Sequence, residues 1–455
     1  GILVGIGETI EKDMLPQLIN NYGDTKMSQP VPMSVSDIEQ HAYLVGGAVR
    51  DTLLGIEVKD RDWVVVGVKA EYMEKCGFQR VGQDFPVFLH PETKEEYALA
   101  RQERKTGHGY QGFSFEANEN VTLEEDLIRR DITINAMAMD HQGSIIDPFN
   151  GQADLANKVL RHVSDAFIED PLRVLRVARF HARYANLGFQ VASETKLLMQ
   201  RLAAEGELEH LVAERIWLET EKALGETRPD IYFTTLKETN ALQVLFPELE
   251  ALDGVPQSLR YHPEEDTFIH TLYCLRASVH LSKSIPVRYA VLVHDLGKAL
   301  TDKSILPSHT GHEEAGIPLV KAISDRLKVS KYTKDLAIKV CQHHLMFHRC
   351  FEVDAQALHQ LFKNIDAFRQ PETFSDWLLA CQADQKGVGR NEQHWEELLH
   401  EPTDNMAFLK ATHKAAMAVQ FSQLPSGLKG PAVGEAFAKF RIKAIQAVLD
   451  TWEAS

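Results

Sequence analysis

The sequence is poor in the features that mark several protein classes. No apolar run approaches the roughly 18 residues that a spanning helix needs, so an integral membrane protein is not expected. The five cysteines, Cys76, Cys274, Cys341, Cys350 and Cys381, are scattered, odd in number and without CxxC spacing. They read as reduced thiols of a cytoplasmic protein, which argues against a disulfide framework or a zinc ribbon. Only 27 glycines and 18 prolines occur in 455 residues that are 44% hydrophobic, which excludes collagen-like and disordered chains. No internal repeat and no low-complexity tract is present. Basic charge is not in excess either: 49 Lys and Arg face 65 Asp and Glu, a formal net charge of −16. A surface uniformly attractive to nucleic acid is thereby excluded, while a local basic groove is not. What remains is ordinary globular composition, with length for about three domains at roughly 150 residues each.

Residues 1–41 lack a charged n-region followed by an apolar core, so no signal peptide is expected. Met27 and Met33 are candidate natural starts, and the stretch is set apart as a leader or extension. From Tyr43 the texture changes. Tyr43-Leu44-Val45 predicts a strand running into Gly46-Gly47, and Val49 to Leu54 a helix ending near Gly55. Asp60 to Gly67 predicts a second strand with carboxylates at its beginning; Val87-Phe88-Leu89 and Tyr97 to Ala100 are two more. Lys105 to Phe115, with Gly107, Gly109 and Gly112, reads as a mobile loop. Beyond Gly151 the pattern is helical almost without interruption, with turns at Pro247, Pro256 and Pro307. The expectation is an α/β head followed by an all-α remainder.

Four constellations carry chemistry. The first is Gly46-Gly47-Ala48-Val49-Arg50-Asp51, then Leu54-Gly55, then Asp60-Arg61-Asp62. A glycine pair between strand and helix lets backbone amides approach an anion. Asp60 and Asp62, two apart in a strand, share a face, and two such carboxylates suit Mg²⁺ in phosphoryl or nucleotidyl transfer. The plain alternative is a tight turn followed by a solvated strand end. The second runs from Asp126 to Ala136, where Arg129, Arg130 and Asp131 precede the apolar Ile132–Met139. A surface ion-pair cluster is the plain reading; pinned to a rigid element, Arg130 would offer a planar fork to phosphate or ribose oxygens. The third is Glu169 to Phe180. Asp170 is a possible N-cap and Pro171 a first-turn residue, and Arg173, Arg176 and Arg179 recur every third position, away from Val174, Leu175, Ala178 and Ala182. Such a row is either a solvated helix face or a grip on a triphosphate or an RNA backbone.

The fourth is a histidine set: His270, then His294-Asp295 within Leu292 to Lys298, then Asp384, with His309, His312, His343 and His344 as extra candidates. Imidazoles and carboxylates converging from different helices can hold a divalent transition metal and a hydrolytic water.

Together, Tyr43 to Gly67, Asp126 to Ala136 and Glu169 to Phe180 resemble the class II tRNA nucleotidyltransferases, the CCA-adding enzymes. The form is similar to the bacterial one with a C-terminal HD phosphohydrolase domain. The resemblance implies a polymerase-β-like nucleotidyltransferase head at 42–150, a helical neck with base recognition at 151–225 and a helical body at 226–266. An HD domain at 267–390 and a helical tail at 391–455 would follow. It implies that Asp60 and Asp62 bind Mg²⁺; that Gly46, Gly47, Arg50 and Arg130 contact the nucleotide; and that Asp170 and Arg173 read the base edge, with Glu169 orienting Arg173. Arg176 and Arg179 would lie along the same nucleotide. Asp147-Pro148-Phe149-Asn150-Gly151 with Asp154-Leu155 matches the family's hinge, and Glu214-Arg215-Ile216-Trp217 its neck helix. Polymerase-like sites often use a third carboxylate on a neighbouring strand, for which Glu96 is the candidate. His270, His294, Asp295 and Asp384 would hold the HD metal, Ni²⁺ being one option.

The implied function is template-independent addition of C, C and A to the tRNA 3′ end and acceptor arm from CTP and ATP, by two-metal nucleotidyl transfer. A separate hydrolysis of 2′,3′-cyclic phosphates or 2′-phosphates would belong to the HD domain. A cytoplasmic monomer or homodimer without membrane partners is expected. Three alternatives stand beside this reading: a bacterial poly(A) polymerase, a non-catalytic RNA-binding protein with a decayed head, and an HD hydrolase with the head as sensor.

Overall fold

The computed structural model describes residues 34–82, 86–105, 113–257, 266–388 and 393–453, so most of the leader and the tip of the 105–115 loop lie outside it. Contacts divide the chain into two units, Gly1–Arg173 with Phe189–Leu198, and Val174–Gly188 with Met199–Ser455.

The first unit carries a seven-stranded sheet. Across it the order is β3 (Gln79–Val81), β4 (Val87–Leu89), β5 (Glu96–Leu99), β2 (Asp62–Val65), β1 (Ala42–Val45), β8 (Ala138–Met139) and β9 (Ile145–Ile146). β2 and β5 run parallel and all other neighbours antiparallel. Period-two alternation sends Val65, Tyr97 and Leu99 to one face, against Ile38, Met73, Phe78 and Phe88. Val45, Val64 and Ala100 go to the other, against Leu123, Leu127 and Ala136. β2 is shorter than the sequence implies. Its first paired residue is Asp62, opposite Val45, and Asp60 lies in the irregular segment before it. The reason is that β1 ends at Val45: Gly46 has φ +67°, a conformation side chains resist, and turns the chain away. The helix then begins at Gly47, two residues earlier than expected, and stops at Leu54 before a left-handed Gly55. The flanks of the expected mobile loop are also ordered, as a hairpin of β6 (Arg101–Lys105) and β7 (Phe113–Ala117).

The second unit is all-α. Its central helix, Ile285–Val293, is buried at every residue from Val287 to Val293, an all-round burial that only a core helix tolerates. Around it pack Thr267–Leu281, Lys331–His348 and Pro371–Val388. Asp266, Ser284 and Ser330 cap three of these helices by accepting from Ile269, Val287 and Thr333 amides. Pro247, read as a turn, starts the short helix Pro247–Glu250, where its missing N–H costs nothing. Asp404–Met417 and Pro431–Thr451 pack together near the C-terminus. No helix among the described residues is long and apolar enough to cross a membrane.

Candidate active sites

In the first unit the Gly46-Gly47 turn sits beside two guanidinium groups. A Cβ on Gly47 would lie 2.9 Å from Arg50 Nη2, and one on Gly46 would lie 3.5 Å from Arg130 Nη1. Arg50 is buried; its Nε donates to Asp51 Oδ1 at 3.1 Å and its Nη1 to Asn135 Oδ1 at 2.7 Å. Arg130 Nη2 donates to Asp126 Oδ1 at 3.1 Å, and Asp126 Oδ2 accepts from Arg129 Nη2 and the Arg101 amide. Burial alone would raise the Asp126 carboxyl, but Arg129, Arg130 and the Arg101 N–H hold it below its ordinary value. It stays ionised and fixes both arginines. A helix N-terminus flanked by two fixed guanidinium groups is an anion cradle.

Parallel pairing sets Asp62 in direct register with Glu96, so both side chains leave the same face of adjacent strands. Asp60, Asp62 and Glu96 are all exposed. Crowding by surrounding protein pushes the Asp62 carboxyl up, Arg130 opposes this, and Asp60 and Glu95 add to it. Carboxylates that repel one another at an accessible strand end fit a hard divalent cation, for which carboxylate oxygens are the right donors.

Asp170 accepts from the Leu172 amide at 3.1 Å and so caps the helix Leu172–Tyr184. Arg173 donates through Nη1 to the Ala166 carbonyl at 2.6 Å and through Nη2 to the Arg129 carbonyl. The two sit at one helix start, with Arg173 held by main-chain acceptors. Glu169 ends the preceding turn Asp165–Glu169. The expected hinge is laced to its own unit: Asp147 accepts from the Gly151 and Gln152 amides, and Asp154 from Thr133 and Arg161.

Arg176 and Arg179 belong to the second unit, and a solvated face does not describe them. Arg179 is buried and donates from Nε to Glu219 Oε2 at 2.6 Å, while Arg176 Nη1 lies 3.6 Å from Glu219 Oε1. Glu219, on the helix Ala213–Leu224 that carries Glu214 to Trp217, is itself buried. It positions both arginines, and the sequence offered no signal for it among neighbouring glutamates.

The histidine set converges in the second unit. His270 Nε2 is 3.2 Å from Asp384 Oδ1 and 3.7 Å from Asp295 Oδ2; His294 Nε2 is 3.1 Å and 3.2 Å from the same oxygens. The core helix delivers His294-Asp295 at its end, and glycines allow the others to approach. Of the extra candidates, His312 and His344 join, their Nε2 atoms 3.3 Å and 3.5 Å from Asp295 Oδ1. His309 is engaged elsewhere, by Thr301 and the Pro256 carbonyl. His343 is not among the described groups that meet here. Lys298 and His348 complete the ring, 3.0 Å from Asp295 Oδ2 and 2.7 Å from Asp384 Oδ2. His348 was missed, although its i,i+4 spacing from His344 puts both on one helix face.

Burial would protonate both carboxylates. His294 and Lys298 beside Asp295, and His294 and His348 beside Asp384, hold them well below the usual range. Yet His294 Nε2 and both Asp295 oxygens lack a hydrogen bond of good geometry, though each residue is only 1% exposed. Buried polar atoms that converge without satisfying one another are what a cation site leaves in its absence. The imidazole-rich donor set fits a transition metal.

Gly297 fixes the approach of His312. A Cβ there would fall on the His312 carbonyl oxygen and 2.6 Å from the Gly316 amide nitrogen. Gly297→Ala is expected to force the helix His312–Leu327 outward, lowering stability by about 3 kcal/mol. Thermal unfolding checks this, and an unchanged midpoint would contradict the packing described.

Three family models match in chain order: the poly A polymerase head domain over residues 42–161, a probable RNA and SrmB-binding site of polymerase A over 188–252, and the HD domain over 267–368. A multifunctional CCA protein of Thioalkalivibrio sulfidiphilus is 51% identical over 411 residues, 90% of this chain and 99% of the relative. A CCA-adding enzyme solved in complex with ATP superposes with a TM-score of 0.59 at 22% identity, covering 91% of each chain. The Thermotoga maritima CCA-adding enzyme complexed with tRNA gives 0.56 at 21% identity, covering 90% of this chain and 88% of that one. At such identities the two structures establish likeness of fold.

Proposed function

Because this chain belongs to the family of multifunctional CCA proteins, we propose that its head adds C, C and A in turn to the 3′ end of tRNA from CTP and ATP, and that its HD centre separately hydrolyses phosphoesters. The observation that carries the first part is the register of Asp62 with Glu96, together with the Arg50 and Arg130 guanidinium groups beside the Gly46-Gly47 turn. Arg50, Arg130 and the amides of the turn hold the triphosphate. Asp60, Asp62 and Glu96 hold magnesium, which supplies charge neutralisation for attack of the tRNA 3′-hydroxyl on the α-phosphate and for pyrophosphate departure. Arg176 and Arg179, oriented by Glu219, offer further positive charge to an anionic ligand.

Base choice falls to Asp170 and Arg173. A carboxylate accepts from the exocyclic amine of cytosine or adenine, and an arginine donates to N3 of C or N1 of A. Uracil O4 and guanine O6 would set acceptor against acceptor. Asp170→Ala is therefore expected to improve UTP and GTP use relative to CTP by about tenfold, from a paired contact worth roughly 1–3 kcal/mol. Unchanged rejection of UTP would remove Asp170 from base reading.

The whole reading is tested with tRNA lacking its last three nucleotides. Two additions with CTP alone, and a third only when ATP is also supplied, support it. A long ladder with ATP alone indicates a poly(A) polymerase, and no extension rejects the head as a transferase. For the HD centre, an imidazole-rich set of donors favours a transition metal such as nickel over magnesium. The substrates it suits are RNA-end phosphoesters, 2′,3′-cyclic phosphates and 2′-phosphates.

A further inference from the structure

The HD centre holds a sulfur that a reading in nitrogen and oxygen donors leaves unused. Cys274 follows His270 by one turn on the helix Thr267–Leu281, so both side chains emerge on one face. Its Sγ lies 3.4 Å from His270 Nε2 and 3.7 Å from Asp384 Oδ1. His270 Nε2 and His294 Nε2 lie 3.2 Å and 3.1 Å from that same oxygen. Donor atoms of His270, Cys274, His294 and Asp384 are all within 4.8 Å of one another, and all four residues are buried. A tetrahedral cation with bonds of about 2.0–2.3 Å separates its donors by about 3.3–3.8 Å, and the four separations above, 3.1 to 3.7 Å, lie close to that range.

A buried cysteine is often a small core hydrophobe. This one faces imidazole and carboxylate atoms, and its far side is closed. A Cβ on Gly387 would stand 2.5 Å from Sγ, so the packing of Pro371–Val388 keeps the sulfur against the centre. The second observation is independent of the thiol: His294 Nε2, 1% exposed, is aimed into the same space without a hydrogen bond of good geometry.

We propose that Cys274 is a sulfur ligand to the cation of the HD centre, which biases the centre toward thiophilic transition metals and away from magnesium. The inference rests on reading this cluster as a metal site. On loading, the thiol proton leaves to solvent as the sulfur–metal bond forms. Asp295, which faces His294, Lys298, His312 and His344, remains as a further oxygen donor.

Cobalt(II) reports the ligands without reference to activity. The full-length protein, stripped of metal and titrated with Co²⁺ in thiol-free buffer, should develop visible ligand-field bands together with a near-ultraviolet sulfur-to-cobalt charge-transfer band. Cys274→Val and Cys274→Ser, each checked for folding by circular dichroism, should keep the first and lose the second. Intense ligand-field bands with no charge-transfer band in the unsubstituted protein would overturn the sulfur ligand and leave an all-nitrogen-and-oxygen centre. Retention of the charge-transfer band in both variants would overturn it as well. If the unsubstituted protein shows neither band, and His294→Ala gives the same spectrum, the metal-centre reading fails and the sulfur ligand falls with it.

Discussion

Asp62→Ala is expected to slow CCA addition by on the order of 10³-fold while leaving tRNA affinity and thermal stability close to those of the unsubstituted protein. The three parts of that result separate a catalytic carboxylate from a structural one. Asp62 is exposed at the first position of β2, so its removal opens no cavity. Exposed substitutions of this kind typically change stability by no more than about 0.5 kcal/mol. The Asp62 carboxyl is pushed up by its surroundings, with Asp60 and Glu95 contributing. A group whose folded value is raised costs stability above its ordinary range, so replacing it should hold or slightly raise the unfolding midpoint at neutral pH. The transfer step would nevertheless lose a carboxylate ligand of the magnesium that would neutralise the departing pyrophosphate. Single-turnover incorporation from CTP, tRNA binding by gel shift and a thermal melt read the three quantities. Asp60→Ala should match it, although Asp60 precedes the strand. Addition near the unsubstituted rate in either variant would remove that carboxylate from the site.

The sequence displayed the strings of this site more clearly than their geometry. β1 and β2 were visible because three apolar β-formers end in a glycine pair or begin at a carboxylate. Where β2 starts depended on Val45 being its last partner, a consequence of the turn at Gly46. Glu96 was visible as the residue before a strand, but its register with Asp62 comes from parallel pairing of strands 30 residues apart, with two strands between them in the chain. Such pairing has no local signal.

The arginine row shows the same limit differently. Spacing of three placed Arg173, Arg176 and Arg179 on one side, but not what that side meets. The partner that orients two of them, Glu219, is buried only because its helix packs there. In the HD centre, His294-Asp295 stood out at the end of an apolar run. His312 enters through a contact that Gly297 permits, and Cys274 through one that Gly387 permits. Those are packing facts, invisible to periodicity.

His294→Ala is expected to reduce hydrolysis of 2′,3′-cyclic phosphate by on the order of 10³-fold and to leave CCA addition unchanged. His294 touches both carboxylates, through an Nε2 that no other group satisfies. Its removal would strip the centre of a proposed ligand and of the cationic partner that Asp295 and Asp384 share. The cost therefore includes stability, because breaking a buried charge pair from one side costs roughly 3–5 kcal/mol. A melt recorded with and without transition metal distinguishes the two losses. The unsubstituted protein should gain stability on metal addition by mass action, and the variant should gain little. His294→Gln, which restores bulk and a hydrogen-bonding end, should recover part of the midpoint and none of the hydrolysis. The addition assay decides independence. His294 lies in the second unit and Asp62 in the first, so a variant that melts above the assay temperature should still complete CCA. Joint loss of both activities in a folded variant would contradict two separate centres.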